Sequence, residues 1–177
     1  MAGSFELVSE DLAHDSEEWR DVRNRLLAGW VRDPDAVRWL LDLWDAFEVV
    51  DDLIDKDKPV SDERILRMLW EFAVDCPTNP FFLRHAHTLA PVLHLGVNHW
   101  IDANDLEREG TDASLRFSYI LRAAYMSITQ TVVELTRGRE AMRECSLDII
   151  RFFGTETYEE YAAKIRDSSC TGESTED

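Results

Sequence analysis

Apolar residues recur every three to four positions along most of this 177-residue chain, which is the spacing of one face of an α-helix. The first such stripe comprises Trp19, Val22, Leu26 and Trp30. No segment shows the strict apolar–polar alternation of a half-buried strand. The pattern predicts an all-α fold whose helices cover residues 15–32, 34–56, 61–74, 91–108, 111–137, 139–153 and 157–166. Residues 81–88 are expected to form a helical turn or two, and Pro91 to begin or kink the helix that follows.

Capping residues and helix breakers mark the ends of several of these segments. Asp15 and Glu18 have the spacing of a capping box, and Asp33-Pro34 joins a capping side chain to a proline suited to the first helical position. Gly110 supplies a C-terminal stop. We therefore predict a single-domain irregular bundle of six or seven helices across residues 15–166. A loose N-terminal arm at 1–14 and a disordered acidic tail at 167–177 would flank it.

The composition is that of an acidic protein with enough apolar residues to form a core. Hydrophobic residues make up 45% of the chain, and 36 acidic against 19 basic residues give a formal charge of −17. Such a charge repels nucleic acid and anionic membranes, so we expect neither as a partner. The three cysteines form no CxxC pair, which favours a reducing compartment. No secretion signal or transmembrane segment is recognisable, which predicts a soluble protein that is not exported through a signal peptide.

Carboxylates occupy positions on the predicted helix 34–56 where its apolar stripe calls for hydrophobic residues. On a helical wheel, Glu48, Asp51 and Asp55 extend the apolar arc and are expected to lie on the inward side of the bundle. Asp52 falls on the opposite, wetter side with Asp42 and is expected to face away. The arc itself comprises Val37, Leu40, Leu41, Trp44 and Phe47. Buried carboxylates without partners are unfavourable and repel one another. Arginines, a divalent cation, or emergence of the helix end into solvent must therefore compensate them.

The helix predicted at 91–108 repeats this pattern, since Asn104 and Glu107 continue its apolar arc. Oxygen ligands of this kind suit Mg²⁺. The metal alternative therefore assigns four ligands: Glu48, Asp51, Asp55 and Glu107. The arginine alternative has four candidates: Arg116, Arg122, Arg137 and Arg139. Four tryptophans are expected in the core: Trp39, Trp44, Trp70 and Trp100.

Two enzyme families carry similar acidic motifs. Asp51-Asp52-x-x-Asp55 resembles the DDxxD motif of class I isoprenoid synthases, which hold Mg²⁺ against a substrate diphosphate. Glu48-x-x-Asp51 together with Asn104-x-x-Glu107 resembles the paired motifs of all-α nucleotide pyrophosphohydrolases, with Asn104 in place of an acid. Both resemblances imply a Mg²⁺-dependent hydrolase or transferase that acts on a diphosphate or nucleotide.

A longer string resembles a segment of small helical proteins encoded by tailed bacteriophages: Trp44-x-x-Phe47-Glu48-x-x-Asp51-Asp52-Leu53-Ile54-Asp55-x-Asp57-Lys58-Pro59-Val60. Asn79-Pro80-Phe81, Asn98-x-Trp100, Glu107-Arg108 and residues 152–161 fit the same group. The resemblance covers residues 39–165 and implies a phage origin, with the host cytoplasm or the virion as location, but no activity.

Two hypotheses about function follow from the sequence. The first is a non-catalytic helical phage protein, virion-associated or accessory, that acts through contacts with a protein partner or as a homo-oligomer. The second is the Mg²⁺-dependent enzyme. We favour the first hypothesis because no complete set of catalytic residues is recognisable.

Overall fold

The computed structural model describes residues 16–56 and 58–172, and in these residues the chain forms α-helices and no strand. The helices are α1 (Glu17–Val31), α2 (Pro34–Asp55), α3 (Asp62–Trp70), α4 (Pro80–Glu109), α5 (Asp112–Leu121), α6 (Ala124–Arg137), α7 (Arg139–Phe153) and α8 (Tyr158–Gly172). A π-helical turn (Glu71–Asp75) and one short turn (Cys76–Thr78) continue α3. Six of these eight helices are longer than ten residues, so the all-α prediction of six or seven helices is confirmed.

Side-chain caps begin the helices close to where the sequence predicts. Asp33 accepts hydrogen bonds from two backbone N–H groups of the first turn of α2, and Ser61 and Thr111 cap α3 and α5 in the same way. Gly110 ends α4 in a left-handed conformation with φ of 67°. The first helix is capped by Ser16, whose hydroxyl accepts from Trp19 N, one position after the predicted start.

The structure differs from the predicted boundaries at three places. Residues 80–109 form one helix of 30 residues that passes through Pro91. Asn79 caps its start and donates to the carbonyl of Asp35 in α2 at 3.0 Å. The predicted helix 111–137 is divided at Arg122 and Ala123. The last helix continues past Arg166 to Gly172, since no proline or glycine interrupts it earlier. The predicted arm 1–14 and residues 173–177 of the predicted tail lie outside the described residues.

The core forms around α2, which packs against α1, α3, α4 and α6. Trp39 is fully buried and stacks on Phe82 with ring centroids 5.7 Å apart. At the other end of the core, Trp44 packs edge-on against Tyr125, with ring centroids 4.6 Å apart. Burial of aromatic side chains of this size is the main source of stability in such a bundle. No helix in the described residues is long and apolar enough to cross a membrane.

Candidate functional site

A single arginine joins two of the acids that the sequence places on inward-facing arcs. Arg122 lies between α5 and α6, where the break in the helix turns its side chain toward α2 and α4. Its Nε and one terminal nitrogen donate to the two carboxylate oxygens of Glu107, each at 2.9 Å. The other terminal nitrogen donates to Asp51 Oδ1 at 3.1 Å. Asn104 accepts a fourth bond at 2.7 Å. The guanidinium is therefore held by three side chains of two other helices.

Glu107 is the more enclosed of the two acids, with 13% of its side chain exposed. Besides Arg122, it accepts hydrogen bonds from the hydroxyls of Ser118, at 3.0 Å, and Tyr161. Burial and the bond to Glu107 raise the pKa of Tyr161 to about 12, so its phenol remains a donor. Burial alone would lower the pKa of Arg122, but the neighbouring Glu107 and Asp51 outweigh it and the pKa is raised. We call this group the arginine cluster, which lies where four helices meet. Its members are Arg122, Asp51, Asn104, Glu107, Ser118 and Tyr161.

Asp51 lies on the solvent side of this cluster, with 45% of its side chain exposed. In addition to Arg122, it accepts a hydrogen bond from the indole nitrogen of Trp100 at 3.1 Å. Of the three kinds of compensation that the sequence leaves open, the arginine alternative applies to Asp51 and Glu107. The structure selects Arg122 from the four candidate arginines for this role.

The other two acids of the predicted metal set lie before and after Asp51 along α2. Glu48 is half-buried one turn before Asp51, and Asp55 is exposed at the last residue of α2. Within the described ranges, no three His, Cys, Asp or Glu side chains are placed to hold one metal ion. The assignment of Glu48, Asp51, Asp55 and Glu107 as Mg²⁺ ligands stays a prediction, and the geometry of this cluster adds no support for it.

The opposite side of α2, expected to face solvent, is covered by α3. Asp52 is only 15% exposed and pairs with Arg64 of α3 at 2.9 Å, so the expectation that it faces away is wrong. Asp42 is half-buried on the same side. Burial and the nearby Asp75 raise the pKa of Asp42, although Arg38 opposes the shift. The helical wheel fails here because α2 is packed on more than one face.

An apolar pocket of about 320 Å³ opens beside the arginine cluster. Its walls come from α2, α4, the end of α5 and α6. Most of its lining is apolar or aromatic: Trp44, Phe47, Leu93, Gly96, Val97, Trp100, Leu121, Ala124, Tyr125 and Ile128. The polar lining residues are Glu48, Asp51 and Arg122. The helical periodicity predicts that many of these residues lie in the core, but it gives no signal for a cavity among them.

A second feature is the outward face of α3. Leu66, Leu69 and Trp70 share one stripe of this helix and are 65%, 58% and 62% exposed. No residue of α3 is fully buried, and its inward side is formed by the half-buried Ile65 and Met68. The expectation that Trp70 belongs to the core is wrong, because the bundle covers only the opposite side of this helix.

Sequence reasoning missed two members of the arginine cluster, Ser118 and Tyr161. Ser118 lies in an apolar stretch of α5, where a small polar residue gives little indication of a role. Tyr161 is far from Glu107 in sequence, and only the packing of α8 on α5 brings the two together. No protein-family model, curated protein or solved structure matches this chain.

Proposed function

We propose that this protein is a non-catalytic helical module that binds another protein through the outward face of α3. The observation that carries the proposal is the exposed stripe of Leu66, Leu69 and Trp70. Contiguous exposed apolar residues are uncommon on monomers and mark interaction sites. Tryptophan is also the residue type most enriched among those that dominate binding energy.

The negative charge of the chain indicates what kind of partner surface is favoured. The stripe begins beside two exposed acids in the first turn of α3, Asp62 and Glu63, and the whole chain carries a formal charge of −17. A second copy of so acidic a chain would be repelled at long range, whereas a basic surface would be attracted. The partner we propose is a helix with an apolar face flanked by lysine or arginine, which would lie along α3.

As part of the same proposal, the partner belongs to a virion or an infected cell, and the resemblance to small helical phage proteins supports this. The alternative of a Mg²⁺-dependent hydrolase or transferase has less support. It needs carboxylates open to a cation, and Arg122 already binds both Asp51 and Glu107. The proposed protein contact, by contrast, uses the side chains of α3 in the exposed positions that they already have.

A labelled model peptide with a leucine face and lysine flanks tests the proposal by fluorescence anisotropy. We expect the wild type to bind it, with an affinity that falls as salt is added. Trp70→Ser should weaken binding by about tenfold, which corresponds to 1.4 kcal/mol. The matched control is Leu147→Ser, since Leu147 is an exposed leucine of α7 with a similar exposed fraction, 61%.

Both variants are expected to keep the melting temperature of the wild type, since both side chains are mostly exposed. Equal affinity of Trp70→Ser and Leu147→Ser for the peptide would contradict the proposal. Sedimentation equilibrium of the wild type supplies a second test. A dimer that Trp70→Ser dissociates would show that the α3 face binds a second copy, and the proposed basic partner would be wrong.

A further inference from the structure

We propose that the pocket beside Arg122 binds a small hydrophobic organic cation, such as an arylalkylammonium. The pocket lies between α2, α4, the end of α5 and α6 and does not include the α3 face, so this inference is independent of the proposed protein contact. The size of the cavity, its aromatic walls and the charged residues at its mouth all suit such a ligand.

The cavity has the size and lining of a small-ligand site. Its volume of about 320 Å³ is at the lower end of the range for small-molecule pockets, and an apolar lining with a few polar groups is their usual composition. Gly96 of α4 is one of the lining residues. A β-carbon at Gly96 would lie 3.6 Å from both Ala124 Cβ and Ile128 Cδ1, in ordinary contact. A larger side chain at that position would enter the cavity.

The walls are suited to a cation with an apolar body. Trp44, Trp100 and Tyr125 line the pocket, and the faces of such rings attract ammonium groups. Phe47 adds a fourth aromatic ring to the lining. A ligand with a ring and an ammonium head could bury the ring among these side chains while the head stays near the carboxylates.

The charge at the mouth discriminates against anions. Among the described residues that line the pocket, Arg122 has the only positive charge, and Glu48 and Asp51 are acidic. The guanidinium is already engaged by Glu107 through both oxygens and by Asp51. A phosphate or carboxylate would have to displace one of these partners, at the cost of leaving a carboxylate unpaired. A cation can approach Asp51 without breaking either pair, and the acidic chain concentrates cations around it.

Three probes with the same ring and different heads test the inference: phenethylammonium, 2-phenylethanol and 3-phenylpropionate. The readout is the indole N–H resonance of Trp100 in ¹⁵N-labelled protein, identified by its loss in Trp100→Phe. We expect phenethylammonium to shift this resonance to saturation and to bind about tenfold more tightly than the alcohol. The carboxylate should cause no saturable shift. Equal affinity for all three probes, or tightest binding of the carboxylate, would overturn the proposal.

Variants on one helix show whether the probe binds in this pocket. Val97 is 38% exposed at the pocket, so Val97→Lys places a positive charge there without a large loss of packing. We expect it to weaken phenethylammonium binding by tenfold or more. His94→Lys adds a lysine to an exposed position of the same helix outside the lining and should leave the affinity nearly unchanged. If both variants affect binding equally, the probe responds to overall charge and the site assignment is wrong.

Discussion

Replacing Arg122 with leucine would test whether the arginine cluster is a main source of stability. The substitution removes four hydrogen bonds: two to Glu107, one to Asp51 and one to Asn104. Glu107 keeps only the hydroxyls of Ser118 and Tyr161 as donors in the cluster. A carboxylate that is 13% exposed would thus lose its counter-charge while remaining away from most of the solvent.

The size of the expected stability loss follows from how deeply Arg122 and the carboxylates paired with it are buried. Breaking a fully buried ion pair from one side costs about 3–5 kcal/mol. Arg122 is 22% and Asp51 is 45% exposed, so solvent screens part of the loss. We expect Arg122→Leu to lower the free energy of unfolding by about 2–3 kcal/mol. At about 2–4 °C per kcal/mol for a chain of this length, the melting temperature should fall by roughly 4–12 °C.

Thermal unfolding followed by circular dichroism is a sufficient assay, with Arg108→Leu as the matched control. Arg108 is adjacent to Glu107 in sequence, but it pairs with Asp105 on the surface, where both side chains are about two-thirds exposed. Such a pair contributes about 0–1 kcal/mol. Equal losses in the two variants would refute our account of the cluster. The double variant Arg122→Leu/Glu107→Leu should regain part of the loss, because the more buried carboxylate is gone and only the half-exposed Asp51 has lost its arginine.

Metal addition completes this experiment. Because Arg122 supplies the positive charge, millimolar Mg²⁺ should leave the melting temperature of the wild type unchanged. Asp51→Asn should destabilise the fold by about 1 kcal/mol, less than Arg122→Leu, because it removes one charged partner from a half-exposed position. A rise in melting temperature with Mg²⁺ that Asp51→Asn abolishes would instead favour the metal-dependent enzyme.

Three further predictions follow from single positions. Gly154→Ala should destabilise by about 1–2 kcal/mol in a urea titration, because a β-carbon there would lie 2.8 Å from the carbonyl oxygen of Ile150; an unchanged midpoint would contradict this. Asp42→Asn should raise the melting temperature at pH 7, because burial raises the pKa of Asp42 and the fold bears the cost of its charge. This gain should vanish as the pH falls through the raised pKa into the ordinary carboxyl range, whereas a pH-independent gain would exclude titration as its cause. Cys76, buried with a pKa of about 12, should resist iodoacetamide at pH 8 in a variant lacking the other two cysteines and react only after urea is added.

The fold was predictable because its elements are specified locally. The apolar period of 3.6 residues, the caps at Asp33, Ser61 and Thr111, and the stop at Gly110 all act within one or two turns of chain. The continuous helix through Pro91 was not predictable from the same rules. Its start is also specified locally, since Asn79 accepts from the N–H groups of Phe81 and Phe82. Its continuation is not, because a proline such as Pro91 is by itself a signal for a helix start or a kink.

The candidate site was predictable only in part. The wheel identifies Asp51 and Glu107 as misplaced acids, and Arg122 is among the arginines proposed to balance them. Which arginine binds depends on the break between α5 and α6, where the apolar stripe continues without a signal. Burial of Asp52 was missed for a related reason, since a helical wheel assumes one buried face and α3 covers a second face of α2.

Pro91 determines how α4 can come apart. Proline has no amide hydrogen, so the hydrogen-bond ladder of this 30-residue helix lacks the bond that would end on the carbonyl of His87. The first half of α4 is anchored by the fully buried Phe81 and Leu89, and the second half carries one wall of the pocket together with Glu107. We therefore expect the two halves to open as separate units of local unfolding. In hydrogen exchange, opening of the second half should leave the amides around the aromatic packing of Trp39 protected.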